Sequence, residues 1–118
     1  MNFETTTDKL ISRLLSATTM RQRVIANNIA NASTPGFLRG TVPFEEQLRA
    51  AQARGQTDFS NLVPEIVTDT ETPPGFDGNN VTLEAEMNSL QENRITYELY
   101  AAILSSRSQM LRASIEGR

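Results

Sequence analysis

Four glutamates, Glu84, Glu86, Glu92 and Glu98, lie within one fifteen-residue stretch and are the side chains best placed for acid–base work. Two carboxylates held a few ångströms apart can divide the acid and base roles of glycoside hydrolysis. The same spacing describes the solvated face of a helix, where Glu84 and Glu86 near its start would oppose the helix dipole. Composition favours the second reading. The 118 residues include no His and no Cys, which excludes Cys- or His-based nucleophile pairs, thiolate and imidazole metal sites, and disulfides. A glycine-rich nucleotide loop is also missing. The chain is therefore expected to be no enzyme and to need no cofactor or metal.

With 14 acidic against 11 basic residues and a formal net charge of −3, no general affinity for nucleic acid or an anionic membrane is expected. The charge is uneven. Residues 44–92 carry ten carboxylates against Arg49 and Arg54, and the flanking segments are net positive. No run approaches the roughly 18 apolar residues of a membrane span, and the start MNFETTTDKLIS lacks the basic and apolar regions of a cleaved signal.

Amides form the second chemical cluster. Asn27, Asn28 and Asn31 fall within five residues near the end of an otherwise good helix, each costing roughly 0.5–0.7 kcal/mol relative to alanine. Something must offset that cost. Their donors and acceptors can serve free carbonyls at the helix end, the next turn, or the backbone of a neighbouring chain. Thr34-Pro35-Gly36-Phe37 then reads as a tight turn with Pro second and Gly third, presenting Phe37 as an apolar anchor. Ala26, Ala30 and Ala32 keep the helix slim enough for close approach.

The elements that would position these groups follow from periodicity. Residues 7–31 read as one helix through Leu10, Leu14, Ala17, Val24 and Asn28, with Thr5 to Thr7 as N-cap candidates. A second long helix is expected over 82–115, capped by Thr82. Leu83, Met87, Leu90, Arg94, Tyr97, Ala101, Leu104, Ser108, Leu111 and Ile115 keep an unbroken four-three spacing, and eight of the ten are apolar or aromatic. Such a seam predicts a coiled-coil partner, with Tyr97 in its core and Arg94 either pairing across it or snorkelling to its edge. Ile95, Leu99, Ala102, Ile103 and Met110 widen the face beyond what one partner needs. Between the helices, residues 44–54 form a short amphipathic helix ended by Gly55, and Leu62–Val67 is a strand candidate. The remainder of 32–81 is mostly irregular, broken by Pro64, Pro73-Pro74-Gly75 and Asp77-Gly78-Asn79-Asn80. The fold class is thus mainly α: two long terminal helices in an elongated antiparallel coiled coil or helical bundle, one domain over 1–118, with a short middle helix and an irregular centre.

The stretch ANNIANASTPGF, Ala26 to Phe37, closely resembles the signature near the N-terminus of flagellar rod, hook and hook-associated proteins. Asp77 to Arg118, with its Asp-Gly-Asn turn and Leu-Glu-x-Glu-Met helix start, is similar to the C-terminal portion of the proximal rod members of that family. The resemblance covers roughly residues 5–44 and 77–116. It implies a structural subunit that polymerises through its terminal helices into the proximal rod, as drive shaft and wall of the export channel. Implied partners are other copies and neighbouring rod proteins, the adaptor FliE, the membrane-ring protein and the flagellar type III export apparatus. The implied location is the periplasmic rod of the basal body, reached through an uncleaved N-terminal export signal. The expected assembly residues are Asn27, Asn28, Asn31, Thr34, Pro35, Gly36 and Phe37, together with Leu83, Met87, Leu90, Arg94, Tyr97, Leu104, Leu111 and Ile115. A non-polymerising coiled-coil adaptor or export chaperone is the alternative.

Overall fold

The structure is a computed structural model describing residues 5–117; residues 1–4, where the resemblance places the start of the export signal, and residue 118 lie outside it. Helix α1 spans Thr6–Ala30. Thr5 begins it with a capping box: its hydroxyl accepts from the Asp8 N–H at 3.2 Å, and the Asp8 carboxylate accepts from the Thr5 N–H at 3.2 Å. Helix α2, Phe44–Ala53, follows Pro43 and stops before Gly55, whose φ of +83° suits glycine. Helix α3 runs Leu83–Glu116, but the Thr82 hydroxyl makes no capping bond, so Glu84 and Glu86 provide the favourable charge at its first turn alone.

Two short strands, β1 (Gly40–Thr41) and β2 (Val67–Thr68), pair antiparallel with Gly40 opposite Thr68 and Thr41 opposite Val67. The expected strand Leu62–Val67 is corrected by this pairing: only its last residue belongs to a strand. Pro64 has no N–H to donate and is buried. The side-chain amide of Gln47 takes the place of a neighbouring strand there, donating to the Val63 carbonyl at 3.1 Å and accepting from the Glu65 N–H at 3.2 Å.

Helices α1 and α3 lie antiparallel, with Asp8 against Arg107, Thr18 against Asn93 and Asn28 against Glu86. The apolar core sits on the other flank of α1. Ala17 and Val24 meet Val42 and Phe44 of the central segment, with Leu14, Met20 and Leu62 packed around them. Arg21 fastens that flank by donating to the Val42 carbonyl at 2.7 Å and to Glu45 at 2.6 Å, and Arg13 does so through the Ser60 carbonyl at 2.6 Å. Helix α1 is therefore the inner element, covered on two sides. The result is a rod-shaped molecule of 64 × 30 × 18 Å, with a radius of gyration of 17.8 Å where a compact chain of this size has roughly 13 Å.

Candidate assembly site

The asparagine-rich end of α1 and the Asp77–Asn80 turn, far apart in sequence, meet at one end of the helix pair. Phe37 N–H donates to the Thr34 carbonyl at 3.2 Å, closing the Thr34–Phe37 turn with Gly36 at φ +74°. Gly36 N–H donates to the Asp77 carbonyl at 2.7 Å, and a Cβ on Gly78 would stand 3.3 Å from the Gly36 Cα. Two glycines thus bring the turns into direct backbone contact. The Asn79 amide nitrogen donates to the carbonyls of Asn31 at 2.8 Å and Thr34 at 2.9 Å, a second donor for two carbonyls that already accept the N–H groups of Thr34 and Phe37. Asn31 bonds back to the Asn27 carbonyl at 2.9 Å.

Asn28 is fully buried and behaves as a surrogate strand. Its Nδ2 donates to the Gly40 carbonyl at 2.9 Å, and its Oδ1 accepts from the Gly40 N–H at 2.9 Å. Nδ2 also donates to Glu86 at 3.2 Å. Of the three asparagines considered as contacts to a neighbouring chain, this is the one buried inside its own. Asn28→Ala removes both partners of a partly buried peptide, and is expected to lower the chain's own stability by about 2 kcal/mol in a urea melt.

Arg39 joins the pieces. Its Nε donates to Glu86 at 2.6 Å and its Nη1 to Asp69 at 2.8 Å, while its backbone N–H donates to the Asn80 side chain at 2.7 Å. Burial alone would lower the pKa of Arg39, but Asp69 and Glu86 outweigh it and raise the value. The Thr72 hydroxyl, Arg39, and the backbone N–H groups of Thr72 and Glu71 hold the Asp69 carboxyl far below its ordinary range. At the opposite end, Arg107 and the Thr5 N–H likewise lower Asp8. Glu86, treated above with the solvated glutamates, is only 1% exposed; Glu84, Glu92 and Glu98 are on the surface. Its carboxylate is occupied by Arg39, in an ion pair, and by Asn28.

Helix α3 meets α1 through a row that differs from the apolar seam. Glu86, Asn93, Tyr100 and Arg107, seven residues apart, form it. Only Glu86 and Asn93 of α3 are fully buried. Asn93 donates to the Thr18 carbonyl at 2.7 Å, and its Oδ1 is buried without a hydrogen-bond partner. A polar residue inside a helix pair costs stability and in return selects the register. Burial raises the pKa of the Tyr100 hydroxyl. The seam residues Leu90, Ala101 and Leu104 are half-buried beside this row, whereas Leu83, Met87, Tyr97, Leu111 and Ile115 are exposed. Tyr97, expected in the core, is 42% exposed, because α1 takes the row one residue back from Met87 and Arg94, about 100° around the helix. Arg94 points to solvent and, among the described residues, pairs only with Glu98, at 3.5 Å. The widening row is exposed too, including Ile95, Leu99, Ile103 and Met110.

A family model described as "Flagella basal body rod protein" matches residues 14–37, the stretch from mid-α1 through the Pro-Gly turn. The flagellar basal body rod protein FlgB of Borrelia hermsii is 32% identical over 86% of this chain and 88% of its own length. The chain belongs to the FlgB family of flagellar basal body rod proteins. FlgB of Escherichia coli K12 is 30% identical over 77% of the chain and 79% of its own length, and that of Bacillus subtilis 168 is 29% identical over 91% of each.

Within this FlgB-family chain, the sequence reading located the Asn and Pro-Gly stretch and missed most of what holds it. Arg39, Asp69, Asn79, Asn80, Glu86 and Asn93 carry the network. Two signals point to them. Asn79-Asn80 repeats the amide chemistry of Asn27-Asn28, and the polar row at seven-residue spacing runs beside the apolar one. Asn27, Thr34, Pro35 and Gly36 remain at the surface, with Phe37 and Asn31 half-buried.

Proposed function

We propose that this chain is a rod subunit that polymerises through the outer face of its terminal helix pair, so that copies form the wall of the proximal rod around an export channel. The observation that carries the reading is the outer side of α3. Leu83, Met87, Ile95, Tyr97, Leu99, Ile103, Met110 and Ile115 are all more than a third exposed, on a helix whose fully buried residues are polar. Apolar surface of this extent marks an association site. Intramolecular pairing through polar contacts leaves it available. Family membership supports contacts with neighbouring rod proteins, the adaptor FliE, the membrane ring and the export apparatus, and a position in the periplasmic rod of the basal body.

Sedimentation velocity at rising concentration tests this. The wild-type chain is expected to form a growing series of species, and Ile95→Glu combined with Leu99→Glu to remain monomeric with unchanged helicity. A single discrete dimer that does not grow would indicate the non-polymerising adaptor instead. Persistent monomers at all concentrations, alone and with neighbouring rod proteins, would sink the proposal.

A further inference from the structure

Among the described residues, Phe76 is the one large apolar side chain that is fully exposed, and it sits on a hydrogen-bonded turn. Gly78 N–H donates to the Gly75 carbonyl at 3.0 Å, closing a turn with Phe76 at its second position. The turn is anchored from below by the Gly36 N–H on the Asp77 carbonyl and by the Gly75 N–H on the Asn79 carbonyl at 2.9 Å. A mobile loop would lose conformational freedom on binding. This one is already ordered. An aromatic ring fully in water on a fixed turn forgoes the large burial that such a side chain offers.

The opposite end of the helix pair holds a recess that fits it. Thr5, Asp8, Arg107, Met110 and Leu111 line an open recess of about 280 Å³ where the start of α1 meets the last turns of α3. Its lining is mainly apolar through Met110 and Leu111, both exposed. An apolar cavity of about 150 Å³ suffices for a benzene ring. The carboxylate in its wall, Asp8, is already paired with Arg107. Asp77, the exposed neighbour of Phe76, would bring a negative charge beside the partly exposed Arg107 guanidinium. More broadly, the Phe76 end belongs to the acidic segment of the chain, with Glu71 and Asp77 on its surface, and Arg112 stands exposed next to Leu111 at the recess end.

We infer that Phe76 of one copy inserts into the Thr5–Asp8–Arg107–Met110–Leu111 recess of a second copy, making an end-to-end contact along the long axis. Knob and recess are different surfaces at opposite ends, so the contact is heterologous and repeats without closing on itself unless the rotation happens to form a ring. That is the geometry of a filament. The inference rests on the polymerising reading above and adds an axial contact to the lateral one made by α3.

The absence of cysteine permits a direct test. Pro74→Cys and Ser108→Cys, exposed positions beside the knob and the recess that leave Phe76, Met110 and Leu111 in place, are prepared separately as full-length chains, mixed at a concentration where the wild type associates, and treated with a short bis-maleimide. The expected product is a cross-linked dimer joining residue 74 to residue 108, identified by mass spectrometry of the linked peptides and far weaker with either variant alone. Phe76→Ala is expected to weaken association roughly tenfold or more, and Phe76→Leu to restore much of it. Undiminished assembly of Phe76→Ala without a 74–108 adduct overturns the knob-and-recess contact while leaving polymerisation through α3 standing. A strong 74–74 adduct overturns it in favour of a symmetric pair. A wild-type chain that never associates overturns both.

Discussion

Helix α1 buries Ile11, Ala17, Val24 and Ile25 and is covered on two sides, whereas the longer α3 fully buries only Glu86 and Asn93 and leaves most of its large apolar residues exposed. The helix with the longer apolar row is the one that leaves it largely unsatisfied within the chain. Position explains the difference. Helix α1 lies between the central segment and α3, so both its flanks find partners. Helix α3 has one helical neighbour, which its polar row of Glu86, Asn93 and Arg107 faces, and Arg39 of the central segment holds Glu86 as well. Polar contacts fix direction and register because an unpaired buried donor or charge makes other alignments costly. Apolar contacts are less particular, and α3 keeps those for its outer side. The pairing within a chain and the surface between chains are thereby separated onto different rows of one helix.

The sharpest way to break this contrast is to remove the polar side of the pairing. Arg39→Met leaves the buried Glu86 carboxylate without its cation and is expected to cost about 3–5 kcal/mol, read from urea midpoints with an unchanged slope. A cost below about 1 kcal/mol would mean that apolar packing, not the ion pair, holds α3 in place. Next in size comes a matched pair of apolar truncations. Ile25→Ala, within α1, is expected to destabilise the chain by about 3 kcal/mol. Ile95→Ser, on the outer side of α3, is expected to change monomer stability by no more than about 0.5 kcal/mol while weakening association. Equal costs at the two sites would erase the distinction between inner and outer helix.

The smallest effect is a pH dependence. The folded state lowers the Asp69 and Asp8 pKa values from an ordinary 3.8, so their contribution is fully present above pH 3.8 and is lost as the pH falls through the lowered values. Asp69→Asn should therefore reduce stability at neutral pH and flatten the acid side of the curve. Thermal melts between pH 2 and 7 measure both. An unchanged acid limb would detach Asp69 from the Arg39 network.

Much of the architecture was legible before any coordinates. The period of α1, Pro43 and Gly55 around α2, and the long run of α3 each depend on neighbours a few residues away, and local spacing records them. Less of the candidate site was legible. ANNIANASTPGF stood out because asparagine is unfavourable inside a helix, but nothing local shows that Asn28 would bind Gly40 or that Asn79 would serve the carbonyls of Asn31 and Thr34. Those partners are distant in sequence. The strand at Leu62–Val67 failed for a related reason: Gln47, from another element, took the hydrogen bonds that a strand partner would have made.

By itself, then, the sequence determined three helices, their ends, and an apolar excess on the last of them too wide for one partner. Which side of α3 turns inward was decided by tertiary structure alone. Apolar residues occupy so much of its circumference that several rotations bury similar area, and burial free energy cannot choose among them. Arg107, Asn93 and Glu86 reach Asp8, the Thr18 carbonyl and Asn28 together only when their row of α3 faces α1. Directional hydrogen bonds between distant residues make that choice, and such partners become visible only once the chain has folded back on itself.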